Sequence, residues 1–155
     1  MATSKLRAIL TTLKSMIQTI NGSGGYTYDL SGDDQVYIGE GLTPPRYPAA
    51  AVYLLSVQGA HGAQLGRYTR TASIQIQAWV AAESSDPGER AMCAADLLDD
   101  IMAAIEADRK LSGNVKDLIF AQSGTLNGDE MGVPGCGIAI ANLETYFTVN
   151  SGVGT

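Results

Sequence analysis

Hydrophobic positions change period along the chain, and the changes mark its elements. Leu6, Ile9, Leu10, Leu13, Ile17 and Ile20 recur at helical spacing, which predicts an amphipathic helix over residues 3–20 with Thr3 or Ser4 able to cap it. NGSGG, Asn21 to Gly25, supplies the stop, because Gly and Asn tolerate the left-handed backbone that ends helices. Residues 26–48 are turn-rich, with one short strand candidate at 35–38. Pro44 and Pro45 then force an extended path into the next element. That element, residues 49–58, is rich in Val, Leu and Tyr and reads as a strand. GAHGAQLG joins it to a second strand, so the pair is expected to form a β-hairpin.

The second arm, RYTRTASIQIQAWVAA from Arg67 to Ala82, alternates throughout but unevenly. Tyr68, Arg70, Ala72, Ile74, Ile76, Ala78 and Val80 share one face. Arg67, Thr69, Thr71, Ser73, Gln75, Gln77 and Trp79 share the other. Only from Ile74 onward does one face look able to sit on a core. A strand of some 14 residues reaches about 46 Å, more than twice the common strand length. The end spanning residues 56–71 is therefore expected to project from the body as an arm.

SSDPGERAMCAADLLDDIMAAIEADRKLSGN opens with a strong helix start, with Asp86 as N-cap, Pro87 at the first helical position and Glu89 three residues after the cap. Ala91, Ala94, Ala95, Leu98, Ile101, Met102 and Ile105 are expected to form its buried stripe, leaving Asp96, Asp99, Asp100 and Glu106 outside it. Residues 115–122, VKDLIFAQ, read as a strand and 123–135 as a polar, glycine-rich loop. The closing strand, 136–150, alternates Ile138, Ile140, Asn142, Glu144, Tyr146 and Thr148 against the more continuously apolar Ala139, Ala141, Leu143, Thr145, Phe147 and Val149. SGVGT reads as a loose tail. The expected fold is α+β over a single domain, residues 1–155. It is a small mixed or antiparallel sheet with a long projecting hairpin, packed by the N-terminal helix and one central helix.

Composition fits this picture: the chain has 155 residues, 45% of them hydrophobic and 17% charged, and no apolar run approaches the roughly 18 residues that span a bilayer. The N-terminal stretch is amphipathic and lacks a secretory h-region, so a cytoplasmic origin is expected, with Cys93 and Cys136 as free thiols. The net charge of −6 is unevenly spread. Residues 41–82 hold no acid and three arginines, Arg46, Arg67 and Arg70, while residues 83–108 hold eight acids against Arg90. An acidic chain makes a poor sequence-independent nucleic-acid binder. Such asymmetry suits like subunits meeting basic face to acidic face, although a solvated helix opposite a weakly basic sheet has the same signature.

Candidate chemistry is sparse. His61, the only histidine, lies in a glycine-rich turn with no Cys or carboxylate at ligand spacing. Asp99 and Asp100, adjacent on a helix, point in different directions, and Asp29, Asp33 and Asp34 do not match a calcium loop. NGSGG follows a helix rather than a strand and has no Gly-Lys-Ser/Thr end, so it is not a phosphate loop. No constellation asks for an enzyme, and no cofactor or metal is expected.

The order of these elements, carried by LRAILTTLKSMIQTI, PPRYPAAAVYLLSV, YTRTASIQIQAWVAA, ERAMCAADLLDDIMAAI and LETYFTV, resembles the tail terminator proteins of long-tailed bacteriophages. The resemblance implies a virion protein, assembled in the host cytoplasm, that forms a ring, expected to be a hexamer, at the head-proximal end of the tail. Its implied partners are other copies of itself, the tail tube protein and a neck or connector protein. DNA is expected only as the passing genome, and no membrane. On this reading Arg46, Arg67, Tyr68 and Arg70 are candidates for the subunit or tube interface. Asp96, Asp99, Asp100 and Glu106 are candidates for a channel wall that repels DNA phosphates. The alternatives are another head–tail connector or neck protein, or a small cytoplasmic ligand-binding or regulatory module with its pocket between the Asp86 helix and the sheet.

Overall fold

The computed structural model describes residues 4–39, 44–59, 67–82 and 86–150, without the side chains of Arg67, Tyr68, Glu130 and Asn150. Thr3, His61 and the hairpin tip therefore lie outside the described residues, as does SGVGT. Helix α1, Lys5–Ile17, starts where Ser4 accepts a hydrogen bond from the Arg7 N–H at 3.2 Å, and it buries Ile9, Leu13 and Ile17. Strand β1, Val36–Ile38, lies parallel to β2, Ala49–Gly59. β2 is followed by β3, Arg67–Ala81, and then by α2, Pro87–Glu106, which Asp86 caps through the Gly88 N–H. β4, Asp117–Phe120, and β5, Gly124–Asn127, precede a single 3-10 turn, Gly128–Met131, and the last strand, β6, Cys136–Asn150.

The strands form one six-stranded sheet in the order β1-β2-β3-β6-β4, with β5 also on β6. β6 is its spine. Along one side it pairs antiparallel with the whole of β3, from Arg67 opposite Asn150 to Ala81 opposite Cys136. Its other side takes β4 on residues 143–146 and β5 on 137–140. The period-2 pattern of β3 and β6 puts Ala72, Ile74, Ile76, Ala78 and Val80 on one face with Ala139, Ala141, Leu143, Phe147 and Val149. That face packs under α1 and α2 into the main core. Thr145 also lies there, fully buried, and its hydroxyl donates to the Ala72 carbonyl at 3.3 Å. The opposite face has a second, smaller cluster of Ala49, Ala51, Trp79 and Ile138.

Three expectations change. The buried stripe of α2 is Ala94, Leu97, Ile101, Ala104 and Ile105, while Ala91 and Ala95 are exposed. Alanine is nearly indifferent to burial, so the alanine-rich first half of the helix places its stripe poorly, and Leu97 decides it. Where a loop was expected, β5 forms, because GTLN has no pattern of its own and is a strand only by pairing with residues 137–140. The far half of the hairpin, finally, is not wholly outside the core. Ala72 is fully buried, and Phe147 and Val149, opposite Arg70 and Tyr68, are buried too. β6 supplies the large apolar residues that this half of β3 lacks.

Candidate assembly surface

What does leave the core is the end of β2. Its residues are buried through Val52, but after a register shift between Leu54 and Ser56 the exposure of Leu54, Leu55 and Val57 is 36%, 53% and 38%. β1 covers the outer edge of β2 only at residues 50–52, and the Gly39 N–H closes that pairing on the Val52 carbonyl at 2.9 Å. From residue 54 to 59 no described strand pairs with that edge. An open edge beside exposed leucine and valine is a template for another chain. Its sequence signal is Leu54-Leu55, since neighbouring residues of a strand cannot both point into one core.

The β4 edge is treated differently. The Leu118 N–H donates to Asp117 Oδ1 at 2.8 Å and the Leu118 carbonyl accepts from Arg109 Nη2 at 2.6 Å, so two side chains occupy its backbone groups. Arg109 and Asp117 also lie 3.4 Å apart as an exposed ion pair. Polar side chains cross the helix-free face between these edges. The Tyr53 hydroxyl donates to Gln75, Gln75 Nε2 to Asn142 Oδ1 at 3.0 Å, and Asn142 Nδ2 to the Gln122 carbonyl at 2.6 Å. Gln122, Leu126, Ile140 and Asn142 border a shallow depression at its β5 end. On the same face Tyr146 donates to Glu144 at 3.0 Å, and that bond to a carboxylate raises the phenol's pKa.

A buried arginine ties down the loop after β5. Arg90 donates to Asp129, whose other oxygen accepts from the Gly135 N–H at 3.0 Å. The Gly135 bond first, and then Arg90, hold the Asp129 carboxyl below its ordinary 3.8. A lowered folded-state pKa stabilises above 3.8, and that contribution disappears as pH falls through the lower folded value. The loop's Val133 packs on the cluster of Trp79, the only tryptophan. Acidification below 3.8 should therefore red-shift Trp79 emission, and Asp129→Asn should shift it already at neutral pH. Emission indifferent to both changes would contradict the clamp.

The expected interface residues separate. Arg70 is exposed on β3, opposite Gly59 and Phe147, while Arg67 and Tyr68 continue the same strand, their side chains outside the described residues. Arg46 is remote from them and tied within the chain, to Asp34 at 2.8 Å and to Gln35 at 3.1 Å. It braces the turn before β1 rather than offering a free cation. Gln35, itself buried, completes that brace by donating to the carbonyls of Asp29 and Pro48. Of the α2 acids, Asp96, Asp99 and Glu106 are all exposed, on one side of the helix. Asp100, beside Asp96 on the helix, is covered by the loop before β1. It is 4% exposed and accepts from the Thr27 N–H at 3.0 Å and the Tyr28 N–H at 2.9 Å, so it cannot line a channel. The sequence hides this role because the partners are backbone groups of a loop more than seventy residues away.

Among the described residues no group of three His, Cys, Asp or Glu is placed to hold a metal ion. Both cysteines are free, and burial raises the Cys136 thiol pKa. α2 and β6 meet too closely for a ligand near Gly137, where an added Cβ would run into the Arg90 carbonyl. The depression beside β5 lies on the sheet's other face, not under the Asp86 helix.

No family model and no curated protein sequence matches the chain. Among solved structures, a chain of "Virion of native gene transfer agent (GTA) particle" aligns with 92% of this chain and 98% of its own, at 12% identity and a TM-score of 0.46. Similarity of that extent bears on neither function nor partners.

Proposed function

We propose that this chain is the structural subunit of a ring, expected to be a hexamer, that caps the head-proximal end of a bacteriophage tail tube, ends tail growth and offers the surface for neck attachment. The observation that carries the reading is the open edge of β2, where Leu54, Leu55 and Val57 stand exposed on a limb with cations and no acid. A subunit that closes a ring needs such an unfinished surface, since each copy must offer one patch to a different patch on the next. In that ring Arg67, Tyr68 and Arg70 belong to the subunit or tube contact, and Asp96, Asp99 and Glu106 to a wall along which DNA passes without sticking. The other partners are the tube protein and a neck protein.

The test is a double variant, Leu55→Lys with Arg70→Glu. Both positions are exposed, so the fold should change by no more than about 1 kcal/mol in total. Tails complemented with it should be overlong or headless, while its thermal melt stays near that of the parent. Tails of normal length, carrying heads, would contradict the reading. In the same particles, Asp96, Asp99 and Glu106 changed to Lys should slow DNA delivery, and unchanged delivery would remove these acids from the channel.

A further inference from the structure

The two sides of the sheet match each other in level, direction and chemistry. Through the ladder, Ser56 of β2 is opposite Ser73, Ser73 opposite Glu144, and Glu144 opposite Ile119 of β4. In the same way Gln58 leads through Thr71 and Tyr146 to Asp117. The stretch of β2 left open is therefore level with β4, on the far side of the same sheet. β2 runs antiparallel to β3, β3 to β6, and β6 to β4, so β2 and β4 are antiparallel to each other. A rotation about an axis along the strands changes neither direction nor level. It brings the β4 edge of one copy against the open β2 edge of the next as an antiparallel pair.

The geometry points to this contact, β2 residues 54–59 of one copy against β4 of a second copy, as the joint between subunits. The inference rests on the ring reading and deepens it. Each side offers a large exposed apolar residue, Leu55 on β2 and Ile119, 45% exposed, on β4. Heterologous pairing of this kind builds rings, whereas β2 against β2 would stop at a dimer. Asp117 and Arg109 acquire a role in this account. By occupying the Leu118 backbone groups they guard the β4 edge of the free subunit, as native edges are commonly blunted with charge. Being exposed, they can swing aside when a β2 edge arrives.

Thiol cross-linking of the purified full-length chain tests the joint. Ser56→Cys and Ile119→Cys are made in separate Cys93→Ser chains and treated with a short bifunctional thiol reagent, alone and mixed. Gln58→Cys with Asp117→Cys forms a second pair at its own level, should either first variant fail to fold. Covalent dimers from the mixture but from neither chain alone, and a ladder of species when both cysteines share one chain, are the expected results. Dimers from Ser56→Cys alone would replace the joint with a symmetric one and overturn the proposal. Ring-sized particles with no cross-link in either pair would also overturn it, leaving the ring reading intact. Monomers at every concentration, without cross-links, would overturn both.

Discussion

Phe147→Ala is expected to destabilise the subunit by about 3–5 kcal/mol, the usual cost of emptying a buried phenylalanine site. Phe147 is 1% exposed and sits on β6 opposite Arg70, in the half of the sheet where β3 offers no large apolar residue. Urea unfolding of the variant measures the loss, with Thr148→Ala, on the opposite and more open face, as the control. A loss under about 1 kcal/mol, within the range of surface changes, would mean that this half has no core beneath it and is an arm after all.

Asp100→Ala is the second large effect, at about 2–4 kcal/mol. Its carboxylate receives the backbone N–H groups of Thr27 and Tyr28, holding the loop between α1 and β1 onto α2. Alanine leaves these part-buried donors without their acceptor and the carboxylate's pocket empty, and a charged hydrogen bond lost in this way costs about 1–3 kcal/mol. Asp100→Asn keeps an acceptor oxygen and should lose about half as much. Hydrogen exchange at Thr27 and Tyr28 reads the effect locally. If both amides remain protected in the alanine variant, something other than Asp100 holds the loop.

What could be read from the sequence follows from where each element takes its instructions. The α2 start was legible because Asp86, Pro87 and Glu89 act within one turn, and β6 because its alternation persists over fifteen residues. The α+β class, with a mostly antiparallel sheet under two helices, follows from these periods. β5 was illegible because GTLN owes its strand to Ile138 and Ile140 across the ladder. Asp100 looked like one more solvated acid because burial by a distant loop leaves no local mark. Arg46 looked free because its partners, Asp34 and Gln35, lie in a turn without regular pattern. The unequal faces of Arg67 to Ala82 drew attention to this end of the hairpin, but they gave no sign that its exposed apolar side chains belong to the other strand. The polar residues of β3 lie between two neighbours, and it is β2, with Leu54, Leu55 and Val57, that runs out of cover.

The proposed ring requires each copy of this chain to continue into another copy of itself. Its most direct measurement is the mass of the unmodified full-length chain by sedimentation across a wide concentration range, beside the Leu55→Lys variant. The parent is expected to form a closed species of about six chains, and the variant, equally folded by circular dichroism, to stay monomeric. A parent that remains a 16.2 kDa monomer at every concentration, or a variant that assembles like the parent, would contradict it.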